Sequence, residues 1–179
     1  MSVATHTPCI PRNVLVSNLV SMIGMQKGRC NYLELGTAYN ETLEFVAKSS
    51  PSAKCYGVDP RAIDPALPNV TVYNMLSKDY FDQFAAADGP FDVVFIDADH
   101  SYLAVLVDFA RSLAHMADQS LILLDDTWPA AESETGDGYC STAYKIVDWL
   151  KRAGYESVTI PAHPGLTIVR VSRSHLLWS

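Results

Sequence analysis

The stretch that most constrains this chain is Asn31-Tyr-Leu-Glu-Leu-Gly-Thr-Ala-Tyr-Asn40. An apolar strand over residues 32–35 ends beside an acid, and a turn of small residues hands over to a helix from Glu41. That order is how an open parallel sheet builds a ligand site. The turn lets backbone approach the ligand, and the helix N-terminus offers free N–H donors. Alone the stretch is a weak signal; it gains weight from later segments that repeat the strand-then-acid pattern in order.

Residues 1–12 read as a loose arm, followed by a helix over 13–25 that Gly24 or Gly28 ends. After the first strand, Leu43, Val46 and Ala47 share one face of the helix Glu41–Ser49. A second strand spans 54–58 and runs into Asp59-Pro60; a third is Val70–Tyr73. A short helix near 80–87 stops at Gly89-Pro90. Phe91–Ile96, apolar but for Asp92, reads as a strand covered on both faces. The next helix, 102–116, carries Leu103, Leu106, Val107, Ala110, Leu113 and Ala114 on one stripe. Strand five, 120–124, ends in Asp125-Asp126. A polar loop over 130–139 precedes a helix with Ala143, Ile146, Val147 and Leu150 inward, stopped by Gly154. The last strands, Ser157–Ile160 and 167–171, are joined by the short loop Pro161-Ala-His-Pro-Gly165, which implies an antiparallel hairpin. The reading is one α/β domain over 1–179, its first 28 residues an arm and helix. Its core is a three-layer αβα Rossmann-like sheet, mostly parallel, with a C-terminal antiparallel hairpin.

With 49% apolar and 18% charged residues, the chain has the makings of a buried core. Its net charge of -7 argues against nucleic acid or an anionic membrane as partner. Cys9, Cys30, Cys55 and Cys140 form no C-x-x-C pair and read as free thiols of a reducing compartment. No run reaches membrane-spanning length and no signal pattern opens the chain, so the expectation is a cytoplasmic protein.

In such a sheet the ligand lies outside the carboxyl ends of the strands. The residues there are Glu34 and Gly36, Asp59, 74–77 with Ser77, Asp97-Ala-Asp99-His100, and Asp125-Asp126. Acids close four of the five strands, and buried carboxylates are costly without a partner. Four on one rim point to a cationic or hydroxyl-rich ligand.

These segments together resemble the class I S-adenosylmethionine-dependent methyltransferases over nearly the whole chain. Glu34-Leu-Gly36-Thr37-Ala38-Tyr-Asn40 is similar to the family's cofactor-cradling first motif, and Asp59 stands where its ribose-binding acid does. Phe95-Ile-Asp97-Ala-Asp99-His100-Ser-Tyr102 resembles the Asp-x-Asp-His-x-Tyr signature of small-molecule and sugar O-methyltransferases. The resemblance implies a cofactor held by Glu34, Gly36, Thr37, Ala38, Asn40, Asp59, Ser77, Asp97 and His100. It also implies catalytic roles for Asp97 and His100. Asp97, Asp125 and Asp126 are similar to the ligands of a divalent metal, and all-oxygen ligation suits Mg²⁺. The acceptor implied is a small hydroxylated molecule. Two departures stand out: Asn40 replaces a glycine, though Asn tolerates left-handed backbone. Ala117-Asp118-Gln119 replaces a Gly-Gly turn before strand five.

Several alternatives stay open from sequence. Asp97 contacts only cofactor in metal-independent relatives, and Asp126-Thr127 also suits a turn or helix cap. His100 is either a general base, since an imidazole titrates near neutrality, or a solvent-facing first-turn residue. Tyr102 packs against either the cofactor or the next helix, and Trp128 is a candidate pocket wall. Asp137, Tyr139 and His163 lie in loops. His6, His115 and His175 have no motif. The apolar tail Leu176-Leu177-Trp178 leaves a homodimer open. A non-catalytic scaffold and an NAD-binding protein are the rival functions.

Overall fold

Every residue of the strand Phe91–Ile96 is buried, as two covered faces demand. The computed structural model describes residues 11–138, 140–161 and 164–172. Their strands are β1 (Cys30–Leu35), β2 (Ala53–Val58), β3 (Val70–Tyr73), β4 (Phe91–Ile96), β5 (Met116–Leu124), β6 (Ser157–Ile160) and β7 (Leu166–Val171). They form one sheet in the order β3-β2-β1-β4-β5-β7-β6. The first five strands run parallel. β7 is antiparallel to both β5 and β6, which is the expected terminal hairpin.

Because side chains alternate along a strand, the sheet feeds two cores. Tyr32, Val93, Phe95 and Leu123 pack towards α1 (Arg12–Lys27) and α2 (Glu41–Ser49) with Val16, Val20, Leu43 and Val46. Leu33, Val94, Ile96, Ile122 and Leu124 face the other layer. That layer holds α3 (Ser77–Gln83), α4 (Ala85–Asp88), α5 (Tyr102–Leu113) and α6 (Ile146–Arg152). Fully burying side chains of this size contributes roughly 1.5–3 kcal/mol each, so both layers are held by strand residues only one position apart.

The chain lays β1, β2 and β3 outward, then returns to place β4 on the free side of β1. Neighbouring connections therefore leave in opposite directions between β1 and β4, opening a crevice at their carboxyl ends. Leu35 pairs with Ile96, and the Asp97 amide donates to the Leu35 carbonyl at 2.8 Å. The glycine turn and the Asp97 segment thus leave the sheet side by side.

Some boundaries differ from the sequence reading. α1 begins at Arg12 and runs to Lys27, where Gly28 stops it in left-handed backbone at φ 75°. The helix expected near 80–87 is two, broken at Phe84. β5 starts at Met116: the register shifts between Phe91 and Val93 on the β4 side, and Gln119 takes φ 54°. The segment that replaces the Gly-Gly turn is thereby absorbed into an irregular strand. α5 is turned from its expected stripe. Val105, Phe109 and Leu113 are buried, while Leu103 and Val107 are 70% and 51% exposed. This helix carries apolar residues around much of its circumference, so periodicity alone does not select the face that meets the sheet.

Candidate active site

The turn after β1 is built by unusual backbone. Gly36 has φ 88°, and a Cβ there would lie 2.5 Å from Ala98 Cα and collide with the Asp97 carbonyl. Ala38 and Asn40 also adopt positive φ, at 44° and 64°. Asn40 accordingly does what its glycine counterpart would, entering α2 from left-handed backbone. Its amide group donates to the Ile63 carbonyl, which ties the turn to the loop after β2.

Asp59 closes the other side of this turn. Its Oδ2 accepts the Ala38 amide at 3.0 Å, and its Oδ1 accepts the Arg61 amide at 2.7 Å. Burial pushes the carboxyl up, but hydrogen bonds from Arg61 and Ala38 outweigh it, and the net shift is downward. Asp59 lines a cavity of about 580 Å³ together with Gly36, Ser77, Ala98, Asp99, Leu103, Val107 and Asp108. That volume suits a nucleoside-sized ligand. Ser77 opens α3 and donates to Asp108 Oδ1 at 2.7 Å. Burial raises the Asp108 carboxyl, partly offset by that bond. The exposed Leu103 and Val107 of α5 are this cavity's apolar wall.

A second cavity of about 180 Å³ adjoins it through Gly36 and is lined by Arg12, Glu34, Thr37, Ala38 and Asp97. Glu34 is buried and accepts the Tyr32 hydroxyl at 2.6 Å. Desolvation pushes its carboxyl up to about 8, against the lowering effect of the Tyr32 bond. Thr37 Oγ1 and Asn40 Oδ1 are buried without a hydrogen-bond partner, so the turn keeps polar atoms unspent.

Beyond these cavities lies a cluster of charges. His100 places Nδ1 2.5 Å from Asp126 Oδ2 and Nε2 3.5 Å from Asp97 Oδ1. Ligand atoms of Asp97, His100 and Asp126 all fall within 4.8 Å of one another. Asp126 is fully buried and sits at φ 56°, a strained conformation of the kind found at functional sites. Asp125, expected to join Asp97 and Asp126 as a ligand, accepts a hydrogen bond from Arg12. The same guanidinium lies 3.3 Å from Asp97 Oδ2. Burial first, and then the neighbouring Asp97, hold the Asp125 carboxyl well above its usual range.

Three carboxylates therefore face one guanidinium and one imidazole. Asp125 Oδ1 and both carboxyl oxygens of Asp126 are buried and accept no hydrogen bond, the approach of His100 to Asp126 Oδ2 being a close ion-pair contact. This oxygen-rich donor set fits a hard divalent cation. Trp128, 51% exposed, is held beside it by its amide donating to the Pro164 carbonyl at 2.9 Å.

The structure brings together Glu34, Gly36, Thr37, Ala38, Asp59 and Ser77 around the two cavities, with Asn40 in the same turn and Asp97, His100, Asp125 and Asp126 next to them. Sequence reasoning missed Arg12, assigned to the arm, and Asp108, hidden in an apolar helix. A basic residue just before an apolar helix is a faint signal for the former; nothing local marks the latter. The Tyr102 amide donates to Thr142 Oγ1 at 2.8 Å, and its ring packs on the core. His115 stacks on Phe81 far from the cleft. Tyr139, His163, His6, His175, Cys9 and the apolar tail lie outside the described residues.

A sheet of this strand order, with a glycine-turn cleft at the switch point and an antiparallel strand closing it, defines the class I S-adenosylmethionine-dependent methyltransferases. A family model described as a methyltransferase domain matches residues 33–127, and the chain belongs to that family. A search of curated protein sequences finds no significant match. Among solved structures, cofactor-bound Rv0187 from MTB superposes with a TM-score of 0.72 at 19% identity, covering 92% of this chain and 82% of that one. The O-methyltransferase from Bacillus cereus in complex with SAH gives 0.67 at 16%, covering 91% and 82%. MycE from the mycinamycin biosynthetic pathway, in complex with Mg, SAH and mycinamycin VI, gives 0.64 at 19%. That match covers 85% of this chain and 47% of MycE, so the chain spans about half of that relative's length. At these identities the likeness is one of fold.

Proposed function

We propose that this methyltransferase transfers the methyl group to a hydroxyl oxygen of a small molecule, with His100 as general base and a divalent cation held by Asp97, Asp125 and Asp126. The observation that carries the reading is His100 standing between Asp97 and the buried Asp126, at the crevice where the cofactor cavities end. S-adenosylmethionine supplies an electrophilic methyl whose bond to sulfur breaks as the bond to the acceptor oxygen forms.

The chain's own residues do the rest. Asp59, kept ionised by its hydrogen bonds, accepts from ribose hydroxyls, and Ser77 with Asp108 offers polar contacts at the base end of the larger cavity. The turn 36–38 and the unpartnered Thr37 hydroxyl meet the amino-acid end, with Glu34 behind them. Asp126 orients the imidazole through Nδ1, so that Nε2 takes the acceptor's hydroxyl proton and the carboxylate stabilises the cation that results. A divalent ion on the Asp97 and Asp125-Asp126 oxygens would lower the pKa of a hydroxyl beside it. Positioning supplies much of the acceleration. Trp128 would wall the acceptor side. The MycE complex with Mg and SAH supports the metal, and buried Cys30, Cys55 and Cys140 support a reducing cytoplasm. No helix among the described residues is long and apolar enough to cross a membrane. A homodimer is part of this proposal.

The test is calorimetry with S-adenosylhomocysteine, followed by a methylation screen of catechols, flavonoids and sugars in Mg²⁺ and in EDTA. The expected outcome is micromolar-range binding, about -8 kcal/mol, and turnover that chelator abolishes and Mg²⁺ restores. Binding with chelator-insensitive turnover would remove the metal from the reading; no binding would remove the reading itself and favour a scaffold.

A further inference from the structure

Arg12 is an odd residue with which to begin a helix. The positive end of the helix dipole disfavours a cation in the first turn. α1 has neither an acid there nor a side-chain cap to compensate. The placement makes sense only for what the side chain reaches. The guanidinium donates to Asp125, lies 3.3 Å from Asp97, and rests over the Phe95 ring at 5.8 Å. It also lines the smaller cavity next to Glu34 and Thr37, so it faces the ligand side of the sheet.

We propose that Arg12 is a tethered counter-cation for Asp97 and Asp125, which a divalent ion must displace to engage both carboxylates, so that the start of α1 sets how tightly the site holds metal. The inference rests on the metal part of the function proposed above. Two cations cannot share the same pair of carboxylates at contact distance without strong repulsion in a partly buried site. The guanidinium is attached by a flexible stem to the first turn of a helix, the part of a helix that opens most readily. Its departure therefore disturbs little beyond that turn. The ion exchanges one diffuse charge for a compact double one, on oxygens that include the unpartnered Oδ1 of Asp125.

The experiment is titration of the whole, metal-stripped protein with Mn²⁺, following free ion by electron paramagnetic resonance, for wild type, Arg12→Met and Arg12→Lys. Methionine keeps an apolar stem on Phe95 without charge, and circular dichroism verifies its fold. The expected result is Mn²⁺ affinity raised roughly tenfold or more in Arg12→Met, with Arg12→Lys much closer to wild type. In wild type, Mn²⁺ should also speed hydrogen exchange at the Val14 and Leu15 amides, which bond to the Pro11 carbonyl. That second readout needs no variant. Equal or weaker binding by a folded Arg12→Met, or unchanged exchange in metal-loaded wild type, would overturn the inference while leaving the metal site standing. Absence of Mn²⁺ binding in every form at millimolar ion would overturn both.

Discussion

His100 Nδ1 lies 2.5 Å from Oδ2 of Asp126, a carboxylate with no exposed surface. The pair leaves Nε2 of the same ring directed at Asp97. A base oriented in this way should be separable from cofactor binding. His100→Ala is expected to lower kcat by about 10²–10⁴-fold, and Asp126→Asn by about 10²-fold or more through loss of the orienting charge. Steady-state kinetics beside calorimetry with S-adenosylhomocysteine checks this. A comparable loss of cofactor affinity in His100→Ala would show that the ring holds cofactor instead.

Gly36 has no room for a side chain, since both its φ of 88° and the Asp97-Ala98 backbone exclude one. Gly36→Ala should destabilise the fold by roughly 1–3 kcal/mol and abolish S-adenosylhomocysteine binding. Thermal melting with calorimetry is the measurement. A variant with wild-type melting and affinity would mean that the turn is free to adopt another conformation.

Glu34 makes stability depend on pH with a definite sign. Its folded carboxyl is raised to about 8 from 4.5, so between those values the folded chain keeps a proton that the unfolded chain has lost. Stability should therefore decline as pH climbs through this window, and the penalty is complete above about pH 8. A shift of this size corresponds to several kcal/mol, on the order of 5. Glu34→Gln should melt several degrees above wild type at pH 8.5 and close to it near pH 5, in melts without cofactor. Parallel melting curves for the two proteins across that range would contradict the assignment.

Asp59 works in the opposite direction. Its folded carboxyl lies below 3.8, so its contribution is present above that value and is lost only as pH falls through the lower, folded one. Cofactor affinity measured by calorimetry should show no protonation of Asp59 down to about pH 4. Asp59→Ala should weaken S-adenosylhomocysteine by roughly 10–100-fold, because two backbone amides lose their acceptor along with any ribose contact. An affinity that changed less than twofold would place the ribose elsewhere.

What the sequence by itself determined was periodic or adjacent along the chain. Phe91–Ile96 reads as a strand covered on both faces because five of its six residues are apolar, and the five-residue link before β7 forces a hairpin. Glu34 near the end of its strand, and Asp59, Asp97 and Asp125-Asp126 just after theirs, come to one rim because parallel strands end on the same side. Asn40 was legible for a local reason as well, its tolerance of left-handed backbone. The tertiary structure alone decided how charges meet across distance. Arg12 and Asp125 are 113 residues apart, and no local pattern links a helix start to a strand end that far downstream. Likewise α5 offers more than one apolar stripe, and only its docking selects Val105 and Phe109 for the core while Leu103 and Val107 wall the larger cavity. Local periodicity specifies what a segment becomes; the partner of each buried charge depends on how the segments pack, since only packing sets the distance over which charges compete.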